Sequence, residues 1–134
     1  MALKSGNGMH RIFPDTNFLI KCIEWKIDFF SEFERVCDFA YDVVLLDCVL
    51  DELAAYGAEG GKKKETANVA LLVLSKKPVK TVHAGGHADD ALVKLATKHD
   101  VVATQDQELK RRLKEKGVPV VVIREKGYLE LVGR

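Results

Sequence analysis

The stretch VVATQDQELKRRLKEKGVPVVVI, residues 101–123, decides how the chain folds. It opens with an apolar run, Val101–Ala103, short enough to be a buried strand. A polar segment from about Gln107 to Lys116 follows, long enough for a helix of about three turns. Residues 120–123 are again β-branched and apolar, which predicts a second strand. A strand, a helix and a strand in this order imply parallel pairing with a right-handed crossover.

Outward from that unit the same alternation runs through the chain. Residues 11–13 predict a first strand leading into Asp15, and Phe18, Leu19, Cys22 and Ile23 then recur at helical spacing. Phe29, Phe33, Val36, Cys37 and Ala40 predict a second helix, and residues 43–46 a buried strand. Asp47 is expected to cap a helix through Tyr56, stopped by Gly57 in the left-handed conformation. Residues 62–74 begin polar and become apolar, as a helix that packs its second half would. Lys80–Val82 predicts a weak strand, and Ala88, Ala91, Leu92, Leu95 and Ala96 form a helical stripe. Tyr128–Val132 predicts an added edge strand. No repeat or Pro/Gly-rich linker divides residues 1–134, so one α/β domain is expected, with helices on both faces of a parallel sheet. Residues 1–10 lack the apolar core of a signal peptide and are expected to be a flexible lead-in.

Composition narrows the classes further. The 134 residues are 47% hydrophobic and 31% charged, within the range of an ordinary globular domain that buries a core. Charged residues interrupt every apolar run before the ~20 residues of a membrane span, so no membrane partner is expected. A net charge of +1 excludes neither nucleic acid nor protein as a partner, since distribution matters more than the sum. Cys22, Cys37 and Cys48 are odd in number, lack CxxC spacing and sit among apolar residues. They read as reduced thiols, which favours the cytoplasm. The four histidines show no zinc-site spacing.

In parallel α/β folds, functional groups gather beyond the carboxyl ends of the strands. Here those positions hold acids. Asp15 follows the first strand, Asp47 the second, and Asp106 the strand Val101–Ala103; Asp89 and Asp90 open the helix after Lys80–Val82. Glu52 lies in a helix from which its side chain reaches back toward the strand ends. Carboxylates converging on one edge repel each other unless a cation neutralises them, and oxygen-rich clusters suit Mg²⁺ or Mn²⁺. Each acid also has a plainer explanation. Asp47 and Asp106 stand where helix caps stand, Asp89 and Asp90 suit a helix N-terminus, and Glu52 suits a solvated face. Asp15 is hardest to explain by packing.

The four segments Asp15-Thr16-Asn17, Asp47-Cys48-Val49 with Glu52-Leu53, Ala88-Asp89-Asp90-Ala91-Leu92-Val93 and Ala103-Thr104-Gln105-Asp106 resemble the successive motifs of PIN domains. Residues 104–113, followed by Gly117-Val118-Pro119, are more similar to the Fcf1/Utp24 ribosome-biogenesis branch than to the VapC toxins. The resemblance runs from about residue 11 to residue 123. It implies a PIN-like α/β/α sandwich around a parallel sheet of about five strands, and metal-dependent endoribonuclease activity. It carries catalytic roles onto Asp15, Glu52, Asp90 and Asp106, and metal binding onto these with Asp89 as a neighbour. Pro14 departs from the pattern, which has a small or β-branched residue before the first Asp. The absence of a Cys-rich zinc ribbon separates the chain from the Nob1 branch.

A nuclease must also hold phosphates, for which Lys62, Lys63 and Lys64 on an expected mobile loop, and Lys110, Arg111 and Arg112 beyond Asp106, are the candidates. Solvated surface explains these runs as well. Thr16, Asn17 and Thr104 are expected to orient carboxylates or metal-bound water by hydrogen bonds. His87 reads as a loop residue that could reach RNA, and Trp25, Phe29, Phe30 and Phe33 read as core or a subunit contact. The leading expectation is an endoribonuclease of ribosomal RNA maturation, acting on precursor RNA or its particle. Three others are weighed: a toxin-type PIN ribonuclease with an antitoxin, a PIN-like scaffold that binds without cutting, and a phospho-acceptor receiver. The receiver fits poorly, because its paired acids belong at the first strand and here the pair is late. A homo-oligomer or protein partner stays open.

Overall fold

The computed structural model describes residues 5–134. Its elements alternate as the hydrophobic pattern requires: β1 (Ser5–Pro14), α1 (Thr16–Glu24), α2 (Phe29–Val36), β2 (Tyr41–Leu46), α3 (Asp47–Ala58), α4 (Gly61–Leu74), β3 (Lys80–Val82), α5 (Ala88–Leu95), β4 (Val101–Ala103), α6 (Gln107–Lys116), β5 (Val120–Arg124) and β6 (Tyr128–Val132). The sheet has six strands in the order β3-β2-β1-β4-β5-β6. Five are parallel and β6 closes the edge antiparallel to β5. The expected parallel sheet is therefore present, with Tyr128–Val132 as the added edge strand. Of the expected lead-in, residues 1–4 lie outside the described residues, whereas Ser5 onward belongs to β1.

The continuous apolar runs take the middle of the sheet, where both faces are covered. All six residues of β2 and all three of β4 are buried, and β3 at the edge is largely exposed. Helices α1, α3 and α4 pack with one another, α5 packs with α6, and α2 lies on β6. Phe18, Phe29 and Phe33 are fully buried between them, and Trp25 and Phe30 are half-buried against the same core. The aromatic cluster is thus core.

Three local expectations are corrected. Gly57 is not a left-handed stop: it lies within α3, where a Cβ would come 2.8 Å from the Ala67 Cβ. Its small size lets α3 and α4 approach closely, and the left-handed turn falls instead at Gly60 and Gly61, with φ of 83° and 58°. Asp47 does not cap α3; it is the first helical residue, and its carboxylate accepts the Ala84 N–H at 2.9 Å and pairs with His83. Lys62–Lys64 lie in the first turn of α4 rather than on a loop. The apolar second half of α4 is only partly packed, since Ala67, Ala70 and Leu74 are buried while Val69, Leu71 and Leu72 are exposed.

Pro14 causes no break. The last registered pair between β1 and β2 is Ile12 with Val43, so the missing N–H falls beyond that ladder. On the other side Asp15 donates its N–H to the Ala103 carbonyl at 2.9 Å and carries β1 to its end beside β4.

Candidate active site

The two central strands β1 and β4 deliver the polar residues that follow them to the same place. Asp15 follows β1 and caps α1: one carboxylate oxygen accepts the Phe18 N–H at 2.7 Å. The other accepts a hydrogen bond from the Thr104 hydroxyl, which follows β4 and is fully buried. Thr104 in turn accepts the Asp106 N–H at 3.0 Å, while Asp106 caps α6 through the Leu109 N–H at 2.7 Å. Caps and candidate ligands are therefore the same residues. Each capping carboxylate oxygen keeps a further lone pair, so the two roles do not exclude each other.

Glu52 reaches this edge from α3, where the Thr16 hydroxyl donates to it. Asp15, Thr16, Asn17, Glu52, Asp89 and Asp106 together line a cleft of about 440 Å³. Tyr56 of α3 and Glu59, just past the end of that helix, complete this wall of the cleft, two residues that the strand-end rule does not find. They stand four and seven positions after Glu52, so the helical repeat from Glu52 would have found them.

Of the adjacent acids that open α5, the structure brings Asp89 to the cleft and turns Asp90 away. The Asp90 carboxylate pairs with Arg112 of α6 at 2.9 Å and is 66% exposed. The cause is the rotation of α5. Ala88, Ala91 and Leu92 face the core, and at ~100° per residue this leaves Asp89 on the flank of the helix and Asp90 on its outer side.

The electrostatics of this edge are those of crowded, under-neutralised acids. Burial pushes the Asp15 carboxyl up to about 6; the Thr104 hydroxyl and Phe18 N–H pull against this, and Asp89 and Asp106 add to it. Asp89 is raised as well, by burial and then by Asp106 and Glu52, with Arg112 opposing. The donor set is all oxygen, which suits a hard divalent cation. Among the described residues, no three His, Cys, Asp or Glu side chains are arranged to close around an ion. The acids line an open cleft, and their chemistry fits such an ion more closely than their spacing does.

Candidate phosphate ligands divide in two. Lys63 pairs with Glu59 at 2.6 Å and lies over the Tyr56 ring, on the rim of the cleft. Lys62 and Lys64 are exposed beside it. Arg111 is held by Glu108 and Glu115, and Arg112 by Asp90. Lys110 is half-buried, and its ammonium is lowered by burial and by Arg124 and raised by Asp106, which places it within electrostatic reach of the cleft. His87 precedes α5 without capping it through its side chain.

A family model described as "PIN like domain" matches residues 12–126. Over 131 residues the chain is 37% identical to Ribonuclease VapC4 of Methanocaldococcus jannaschii, covering 93% of this chain and 98% of that protein. It is 33% identical over 127 residues to the rRNA-processing protein FCF1 homolog of Homo sapiens, covering 89% of this chain but 60% of that protein. Among solved structures, the PIN domain endonuclease Utp24 is similar, with a TM-score of 0.75, 25% identity and 92% of each chain covered. No helix of the described residues is long and apolar enough to cross a membrane.

Proposed function

The chain belongs to the PIN-like domain family, and from that premise we propose that it is a divalent-metal-dependent endoribonuclease whose reaction takes place in the cleft of Asp15, Glu52, Asp89 and Asp106. The observation that carries this reading is the gathering of Asp15, Glu52, Asp89 and Asp106 along one cleft at the sheet edge, with Asp15 buried there and its carboxyl raised to about 6, by burial first and by Asp89 and Asp106 after it. A core has no use for such an arrangement, whereas a cation site does.

Asp15, Glu52, Asp89 and Asp106 are the residues that would hold Mg²⁺ or Mn²⁺. Such an ion, when bound, supplies activation of water and stabilisation of the charge that builds on the phosphoryl oxygens. The remaining work falls to the chain itself. The Thr104 hydroxyl orients Asp15, and because its own oxygen accepts the Asp106 N–H, it fixes two acids relative to each other. Thr16 does the same for Glu52. Lys62, Lys63 and Lys64 stand in the first turn of α4, where the helix dipole adds to their positive charge and draws phosphates toward the α3 wall.

The substrate we propose is ribosomal precursor RNA, supported by the likeness to the FCF1 homolog and to Utp24. One observation favours a second reading, a toxin-type ribonuclease: the identity to VapC4 is 37% and extends over 98% of that protein. The test is cleavage of naked RNA and of ribosomal precursor particles with Mg²⁺ or Mn²⁺, wild type beside Asp15→Asn. Site-specific products from precursor particles support the first reading, and cutting of free cellular RNA the second. If no product depends on Asp15, the chain is a scaffold that binds without cutting.

A further inference from the structure

We infer that Arg112 is a positioning residue of the acid cleft, acting through Asp90 to set where Asp89 stands relative to Asp106. The inference rests on the reading of that cleft as the metal and reaction site. Asp89 rides on α5 and Asp106 caps α6, so their separation is set by how these two helices dock. Two cations of α6, one turn apart, grip α5 at its two ends. Arg112 pairs with Asp90 in the first turn of α5 at 2.9 Å. Lys116 donates to the carbonyls of Val93 and Lys94 in its last turn, the latter at 3.1 Å.

The first of these grips has consequences for the cleft. The apolar stripe sets the rotation of α5, and the Arg112–Asp90 pair fixes its first turn against α6, with Asp89, of the two adjacent acids, lining the cavity. Arg112 is 33% exposed, and its charge also opposes the repulsion that Asp89 receives from Asp106 and Glu52. A guanidinium at this distance from a carboxylate is committed to an intramolecular partner, unlike a free phosphate ligand. Arg111 shares that commitment, but its partners Glu108 and Glu115 lie on its own helix and position nothing else.

The experiment compares wild type, Arg112→Ala, Arg112→Lys and the reversed pair Asp90→Arg with Arg112→Asp. Three quantities are read: Mn²⁺ bound to the protein alone by electron paramagnetic resonance, kcat and KM for RNA cleavage, and the salt dependence of RNA binding. Arg112→Ala is expected to weaken Mn²⁺ binding and lower kcat by about tenfold each, with KM and the salt slope unchanged. Arg112→Lys recovers part of the loss, and the reversed pair recovers most of it. Thermal melts identify any variant that fails to fold, in which case the reversed pair against Asp90→Asn decides. A raised KM and shallower salt dependence with Mn²⁺ binding intact would make Arg112 a phosphate ligand and overturn the inference. Failure of the reversed pair to improve on Arg112→Ala would also overturn it, since Asp90 would then act as an acid in its own right. If wild type itself neither binds Mn²⁺ nor cuts RNA, it is the reading of the cleft that fails.

Discussion

Strands β1 and β4 lie side by side and carry a buried aspartate at each end of the pair, Asp100 where β4 begins and Asp15 where β1 stops. Asp100 is 2% exposed and Asp15 5%, yet their ionisation moves in opposite directions. Burial pushes Asp100 up, but Arg11 donates to both of its oxygens and Thr97 adds its N–H and hydroxyl, and the carboxyl ends below its usual range. Among the described residues Asp15 receives only the Thr104 hydroxyl and the Phe18 N–H; it faces Asp89 and Asp106, and ends well above that range. Burial is common to both; the counter-charge is not. One end of the sheet is finished as structure, and the other ends in an open cleft lined by acids.

Substitutions at the two ends should separate these roles. Asp15→Asn is expected to lower RNA cleavage on the order of 1,000-fold, equivalent to about 4 kcal/mol of barrier, while the far-ultraviolet spectrum stays that of the wild type. Asp100→Ala should do the reverse. It strands the donors of Arg11 and Thr97 and should cost about 3 kcal/mol in urea unfolding, at the low end for a broken buried pair because Arg11 is 37% exposed. Cleavage per folded molecule should hold. Loss of cleavage without loss of stability at Asp100 would break the comparison.

The pH dependence of stability sharpens it, with opposite signs at the two ends. A carboxyl raised from 3.8 to about 6 on folding binds more protons in the native state between those values. Stability then falls as pH rises through that window, by about 3 kcal/mol from Asp15, and levels off above pH 6. Asp100, depressed on folding, contributes stability that is present above its unfolded pKa and lost as pH falls through its folded value. In metal-free buffer the fall between pH 4 and 6 should flatten in Asp15→Asn and persist in Asp100→Ala. Urea titrations at several pH values measure this; an identical profile in wild type and Asp15→Asn would remove the electrostatic argument for the cleft.

How much of this was legible in the sequence follows from what each position depends on. Asp15 and Asp106 could be read because they follow β1 and β4, one and three positions beyond Pro14 and Ala103, and the strand-end rule needs nothing more. Glu52 needed only helical periodicity. The choice between Asp89 and Asp90 depends on the rotation of α5, which the stripe of Ala88, Ala91 and Leu92 sets and which a strand-end argument ignores. Gly57 resembles a stop because glycine follows a helical run, whereas its actual reason, the Ala67 contact, lies ten positions away on another helix. Arg11 and Asp100 carry no local signal of pairing, since they are brought together only when β1 meets β4.

The smallest expected effect concerns the rim. Lys62→Ala and Lys64→Ala should each weaken RNA binding modestly and make its dependence on log salt shallower by about 0.7, with kcat unchanged. Fluorescence anisotropy across a salt series checks this, and an unchanged slope in the double variant would move the phosphate path off α4.

A divalent cation held at the open edge is detected most directly by titrating Mn²⁺ into the metal-free protein by calorimetry. Wild type and Asp100→Ala, the latter held at a temperature where it is folded, should bind alike, whereas Asp15→Asn should bind at least about tenfold more weakly. Binding of equal strength in wild type and Asp15→Asn, or none in wild type, would mean that the acids of this edge hold no cation.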